Sequence, residues 1–160
     1  MSTIKPSYPA SGTAVTITLA SLASGSARAS TAIDNTTNLN VDYRVQIKAK
    51  TGASGTSATG YMNWYIVDST DGGTTYGEGA TGSDAAITLT VPTNAKLLAT
   101  TNMVTNATTY IGDGGSVAAL FNGNCPKKFA VVASNQTGHA LDATGTNFVV
   151  QCESIQYTSA

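Results

Sequence analysis

The stretch Val41-Asp42-Tyr43-Arg44-Val45-Gln46-Ile47-Lys48-Ala49-Lys50 alternates without a break. Val41, Tyr43, Val45, Ile47 and Ala49 form one set; Asp42, Arg44, Gln46, Lys48 and Lys50 form the other. Successive side chains on a strand point to opposite faces, so this period of two predicts a strand with one face on a core and the other in water. A sheet wetted on one face is characteristically antiparallel, because parallel sheets are covered on both sides.

Working outward, the strand signals repeat. Thr13–Ala20 alternates through Val15, Ile17 and Leu19, and Ala86–Val91 through Ile87, Leu89 and Val91. Asn147–Tyr157 sets Phe148, Val150 and Cys152 against Val149, Gln151 and Glu153. Phe129–Ala133 is short and apolar, while Leu97–Val104 and Thr108–Ile111 are weaker. Tyr61–Val67 differs from all of these. Met62, Trp64 and Ile66 lie on one side and Tyr61, Tyr65 and Val67 on the other, with Asn63 the polar exception. Such a strand is buried on both sides, or buried on one and covered by a partner on the other. Turn formers separate the segments: Gly52–Gly60, Asp71-Gly72-Gly73, Gly77–Ser83, Asp113-Gly114-Gly115 and Asn135–Gly138. Only Ser116–Phe121 reads as a short helix. About eight short strands with turns between them predict a single-domain, all-β antiparallel β-sandwich, with a jelly roll as the first choice. No fixed-period repeat suggests a propeller or solenoid. Residues 1–12, with Pro6, Pro9 and Gly12, read as an extended N-terminal arm ahead of a domain over 13–160.

Composition narrows the function. A chain of 160 residues is one domain's worth, and half of it is Thr, Ala, Gly and Ser. Charged residues are 11%, against roughly 25% in average proteins. Eight basic residues against nine acidic ones leave a net charge of −1 and no electrostatic footprint for nucleic acid. No apolar run of the length that crosses a membrane is present. Lys5 ahead of Ala14–Ala23 resembles a signal peptide, but Thr16, Thr18 and Ser21 interrupt its core, so a strand of the mature domain and synthesis in the host cytoplasm are expected. Cys125 and Cys152 are expected as free thiols there, a bridge between them remaining the alternative. With one histidine, neither their number nor their spacing supports a zinc site.

The motifs point to structure more than chemistry. Ser69-Thr70-Asp71-Gly72-Gly73-Thr74-Thr75-Tyr76 resembles an Asp-box, in which the Asp accepts turn N–H groups, the glycines take positive φ and the aromatic ring packs back. Asp-boxes occur in glycosidases away from the catalytic site, so one copy indicates a turn. Asp68, Asp71, Glu78 and Asp84 carry the oxygens a calcium ion needs, but their spacing matches no EF-hand loop and they read as solvated loop carboxylates. His139 has Asp142 as its only local carboxylate and there is no Gly-x-Ser-x-Gly elbow, so it reads as a loop residue. Lys127-Lys128 reads as solvated. No catalytic, cofactor-binding or metal-binding residue is assigned. Tyr61, Trp64 and Tyr65 could form a sugar platform, a subunit contact or core packing. With Lys5, Pro6, Tyr8 and Pro9 of the arm they make up the candidate interface, the arm being expected on a neighbouring chain.

Whole segments carry a resemblance. Residues 13–24, residues 50–61, Ser69–Tyr76 with Asp84–Pro92, and Asn135–Gly138 with Ala140–Gly145 resemble a group of small structural proteins of tailed bacteriophages. The likeness spans most of residues 13–150. It implies a non-enzymatic virion component, a β-sandwich that decorates the capsid shell or belongs to the tail, and it carries over no functional residues. The expected role is a capsid decoration, or cement, protein in the virion. Its partners would be the major capsid protein or other virion proteins, and copies of itself as a homo-oligomer, with a trimer suited to an icosahedral lattice. A tail or baseplate component is the alternative in the same class, and a carbohydrate-binding module the alternative in another. Nucleic acid and membrane are not expected partners.

Overall fold

The computed structural model describes residues 3–91 and 93–159. Met1, Ser2, Pro92 and Ala160 lie outside them, and with them two residues of the expected arm, one residue of the resembling segments and the last residue of the expected domain. The described chain is all-β. Its strands are β1 Ile4–Ser7, β2 Thr13–Ala14, β3 Ala27–Ala29, β4 Ile33–Asp34, β5 Asp42–Lys50, β6 Tyr61–Ser69, β7 Ala85–Ile87, β8 Lys96–Asn102, β9 Thr109–Ser116, β10 Lys128–Gln136 and β11 Val149–Ser159. Where a short helix was expected, Ala118–Phe121 forms one 3₁₀ turn.

Two antiparallel sheets face each other. The first runs β1-β11-β5-β9, with β2 also on β11; the second runs β7-β3-β10-β6-β8, with β4 also on β10. Eight of the strands pair in a nested way: β2 with β11, β3 with β10, β5 with β9 and β6 with β8. Further pairing of β11 with β5 and of β10 with β6 completes the two sheets.

The core fills the space between them. Tyr43, Val45 and Ile47 of β5 meet Met62, Trp64 and Ile66 of β6, Phe129 and Val131 of β10, and Val150 and Cys152 of β11. Tyr43 and Phe129 pack edge to face with ring centroids 5.2 Å apart, a favoured aromatic geometry. Trp64 is fully buried, and its Nε1–H donates to Thr101 Oγ1 at 3.1 Å, satisfying its one polar group. The alternation of Val41–Lys50 is obeyed from Tyr43 onward: Tyr43, Val45, Ile47 and Ala49 are buried, and Arg44 and Gln46 are exposed.

Three local readings are corrected. The described residues form eleven strands rather than about eight, because β1, β3 and β4 are too short to announce themselves. The stretch Thr13–Ala20 is a strand only over Thr13–Ala14. Beyond that the Val15 N–H donates to Val150 O and the Thr31 N–H donates to Thr16 O, so the chain leaves one sheet and reaches the other. Its alternation survives, with Val15 and Leu19 buried and Thr16 and Thr18 exposed, because it packs across the sandwich edge without a continuous ladder. Finally, Asp113-Gly114-Gly115 is not a turn between strands but an irregularity inside β9, where the register against β5 shifts between Val45 and Gln46. A Cβ on Gly114 would lie 3.0 Å from Ile47 Cδ1 and 3.1 Å from Leu98 Cδ2. Gly115 takes φ of 96°. Glycine is needed here for a bulge pressed against the core.

A second apolar cluster lies outside the sandwich. Tyr76 and Ala80, from the excursion between β6 and β7, cover Val67, Ala130 and Val132 on the outer face of the second sheet. With the core against its inner face, the whole interior of β10, Phe129–Asn135, is buried.

Candidate functional site

The excursion covers only half of that outer face. On the other half, register places Tyr61 opposite Gln136 and Asn63 opposite Ser134, with Tyr65 opposite the covered Val132 at the boundary. Opposed residues share a face. Tyr61, Asn63, Tyr65, Ser134 and Gln136 therefore form the floor of an open groove of about 680 Å³, and the segment Ala86–Val91 forms its wall. The floor residues are linked to one another. Asn63 Nδ2 donates to the Tyr65 hydroxyl at 3.0 Å, the Thr100 hydroxyl donates to Asn63 Oδ1 at 2.8 Å, and Gln136 Nε2 donates to Ser134 Oγ at 3.1 Å.

One carboxylate holds the wall. Glu78 accepts from the Thr90 N–H at 2.7 Å, from the Thr90 hydroxyl and from the Asn94 N–H at 2.6 Å. These donors, the Thr90 amide foremost, hold the Glu78 carboxyl well below the usual carboxylate range, at about 2. Glu78 sits at φ 57°, a left-handed conformation uncommon for a non-glycine residue. The Asp-box-like turn next to it is built as its residues predict. Asp71 Oδ1 accepts from the Ser69 hydroxyl and from the Thr74 and Thr75 N–H groups, Gly72 and Gly73 take positive φ, and Tyr76 is buried against the second sheet.

A second surface is the ribbon of β1 and the end of β11. Ile4–Ser7 pairs with Gln156–Ser159, beyond the last residue of β11 that pairs with β5, Ile155. The Val41 N–H donates to Ile155 O, so the backbone groups of Ile155 face β5, and alternation turns those of Tyr157 to the same side. No strand continues there among the described residues. On the opposite edge Pro6 has no N–H to offer, which blunts β1 against further pairing. Ile4 and Pro6 share a face with Tyr157 by register. Ile4 is 70% exposed, Tyr157 62% and Tyr8 58%.

The seven candidate interface residues thus separate. Lys5, Pro6 and Tyr8 are exposed and Pro9 half-buried, on or beside the ribbon. The expected arm is extended, but its described pairing is with β11 of its own chain. Tyr61 and Tyr65 line the groove. Trp64 does not: it points the other way, into the core, with no exposed surface, and neither a sugar nor a subunit can reach it. Period two along β6 already assigned it to the opposite face from the tyrosines. Sequence reasoning missed Ser134 and Gln136, whose place beside the tyrosines depends on the register of β10. It also missed Ile4 and Tyr157, which are brought together by the pairing of chain segments distant in sequence.

The remaining candidates disperse. Asp84 binds Arg28 and Thr18, Asp71 its own turn, and Glu78 the Thr90–Asn94 segment. No group of three metal-ligating side chains gathers among the described residues. His139 is exposed and rests against Gly55, while Asp142 engages Lys50, Asn147 and the Thr144 N–H. Cys125 and Cys152 are free, and burial pushes their thiols up to about 11 and about 12. Lys128 is not simply solvated: it pairs with Asp34 at 3.0 Å. No family model and no curated protein matches the chain.

Proposed function

We propose that this protein is a structural component of a tailed-bacteriophage virion, a capsid decoration protein that binds and stabilises the head shell as a homo-oligomer. The nested pairing of eight strands supports reading the sandwich as a jelly roll, one long antiparallel ribbon rolled into two sheets. The observation that carries the functional reading is the β1–β11 ribbon. It runs past the sheet, presents Ile4, Pro6, Tyr8 and Tyr157 to solvent, and is a two-stranded element that gains little stability alone. Covering it on a neighbouring subunit would bury these groups. The low charge favours the same reading, because copies packed at high density repel one another little. Small Thr, Ser and Ala side chains make flat contacts at small entropic cost, and many weak contacts add up through multivalency.

The test is to mix the purified protein with undecorated shells and sediment them. Retention on the shells, lost when Tyr8 and Tyr157 are both changed to Ser, is expected. No retention at any ionic strength would reject the decoration role, and a tagged copy found on the tail of the intact particle would place the protein there instead. Light scattering of the free protein tests the expected trimer.

A further inference from the structure

We propose that the groove between β6 and the Ala86–Val91 segment binds a neutral oligosaccharide, an activity separate from shell binding. Four observations lead to it. First, the groove has the volume of a ligand site, about 680 Å³, within the range of small-molecule pockets. Second, its described lining contains no Lys, Arg, His, Asp or Glu, so no side chain in it offers a charge to pair with a phosphate, sulfate, carboxylate or ammonium group, and a neutral ligand leaves no charge uncompensated. Third, its chemistry is that of aromatic rings beside amides and hydroxyls: Tyr61 and Tyr65 with Asn63, Ser134 and Gln136. Tyrosine offers an apolar ring to the C–H face of a pyranose and a hydroxyl to its polar rim. Tyr61 and Tyr65 stand four residues apart on one strand, ~13 Å along it, further than one pyranose ring extends, so they would flank a chain of sugars.

Fourth, the polar groups are prearranged with capacity to spare. The Tyr65 hydroxyl accepts from Asn63 and so keeps its proton to donate. Gln136 uses one of its two donors on Ser134, leaving a donor and a carbonyl oxygen. Glu78 fixes the opposite wall through Thr90 and Asn94, so less order has to be imposed on binding. An extended peptide fits the groove less well. β6 and β10 are paired along both edges, to β8, to each other and to β3 and β4, so the floor offers no free backbone row for strand addition.

The purified full chain is titrated, by calorimetry and by amide chemical shifts, with neutral hexasaccharides of glucose, mannose, galactose and N-acetylglucosamine. Controls are a heparin hexasaccharide, a sialic acid hexamer and a Thr/Ser/Ala-rich nonapeptide. At least one neutral hexasaccharide should bind, with shifts at Tyr61, Asn63 and Gln136, while the charged sugars do not. Tyr61→Ala should weaken binding about ten-fold or more, Tyr65→Phe by less, and Arg44→Ala on the other sheet not at all, with each variant's melting curve confirming its fold. The proposal is overturned if no neutral hexasaccharide binds at ~10 mM, a concentration that detects even millimolar affinity. Binding that survives Tyr61→Ala combined with Gln136→Ala, or occupation of the groove by the peptide or charged sugars instead, would also overturn it. The readout uses the protein alone, so failure to bind shells leaves it untouched.

Discussion

The outer faces of the two sheets are opposites. The first sheet presents Arg44, Gln46, Gln151 and Glu153 around a shallow polar depression, with Arg44 paired to Asp113. The second presents Tyr61, Asn63, Tyr65 and Val67, with Ala130, Val132, Ser134 and Gln136 beside them, and its one charged residue in that register, Lys128 at the far end, is paired to Asp34. Both sheets bury an apolar inner face, so the core does not explain the difference. What differs is the cover. The first sheet meets water directly, and its polar alternate positions satisfy that requirement. The second is half roofed by the chain's own excursion between β6 and β7, over Val67, Ala130 and Val132, and the unroofed half carries Tyr61, Asn63, Tyr65, Ser134 and Gln136, with no charged side chain among them. An apolar outer face therefore signals contact, and here part of the contact is internal.

The contrast can be broken or sharpened by four measurements, in order of falling effect. The largest lies within β6. Trp64→Ala should cost about 3–5 kcal/mol, because it empties a fully enclosed site between the sheets, while Tyr61→Ala, on the opposite face, should stay within about 0.5 kcal/mol. Urea titration of both variants decides it, and equal costs would mean that the two faces are not distinct. Next, Asn135 is fully buried, and its amide donates to Leu22 O and His139 O and accepts from the Thr137 N–H and hydroxyl. Asn135→Ala strands these partners and should cost about 2–3 kcal/mol by the same titration.

A smaller effect concerns the roof. The Glu78 carboxyl titrates at about 2 instead of 4.5, so its charged form is favoured by folding. Its stabilisation is complete above about 4.5 and is lost as the pH falls toward 2. Glu78→Gln should flatten stability across that acid window and speed hydrogen exchange at the Thr90 and Asn94 amides, with the Val131 amide unchanged; equal exchange in the variant would show that the wall does not depend on this carboxylate. The smallest effect belongs to the first sheet. Arg44→Ala removes a solvent-exposed pair with Asp113, and such pairs contribute little. The melting temperature should hardly move, and any change should vanish at high salt.

Much of this architecture was legible in advance, for identifiable reasons. Period two is a property of the strand itself, so β5, β6 and the inner residues of β11 could be read directly, as could the turn at Asp71, whose bonds all close within seven residues. The short strands β1, β3 and β4 could not, because pairing with β10 and β11 defines them rather than any pattern of their own. Asp113-Gly114-Gly115 misled because glycines that permit a turn also permit a bulge, and only the core side chains opposite choose between them. The groove was half legible: Tyr61 and Tyr65 stood out, but Trp64 was grouped with them by proximity in sequence although alternation puts it on the other face.

By itself the sequence determined that this chain builds sheets with a sharp division between inside and outside, because alternation and turn chemistry act over a few residues. Only the tertiary structure decided which outer face is covered, which neutral residues line a groove and which strand ends project as a ribbon. Those outcomes depend on register between segments as far apart as β1 and β11, and local preference carries no information about which distant strand will lie alongside.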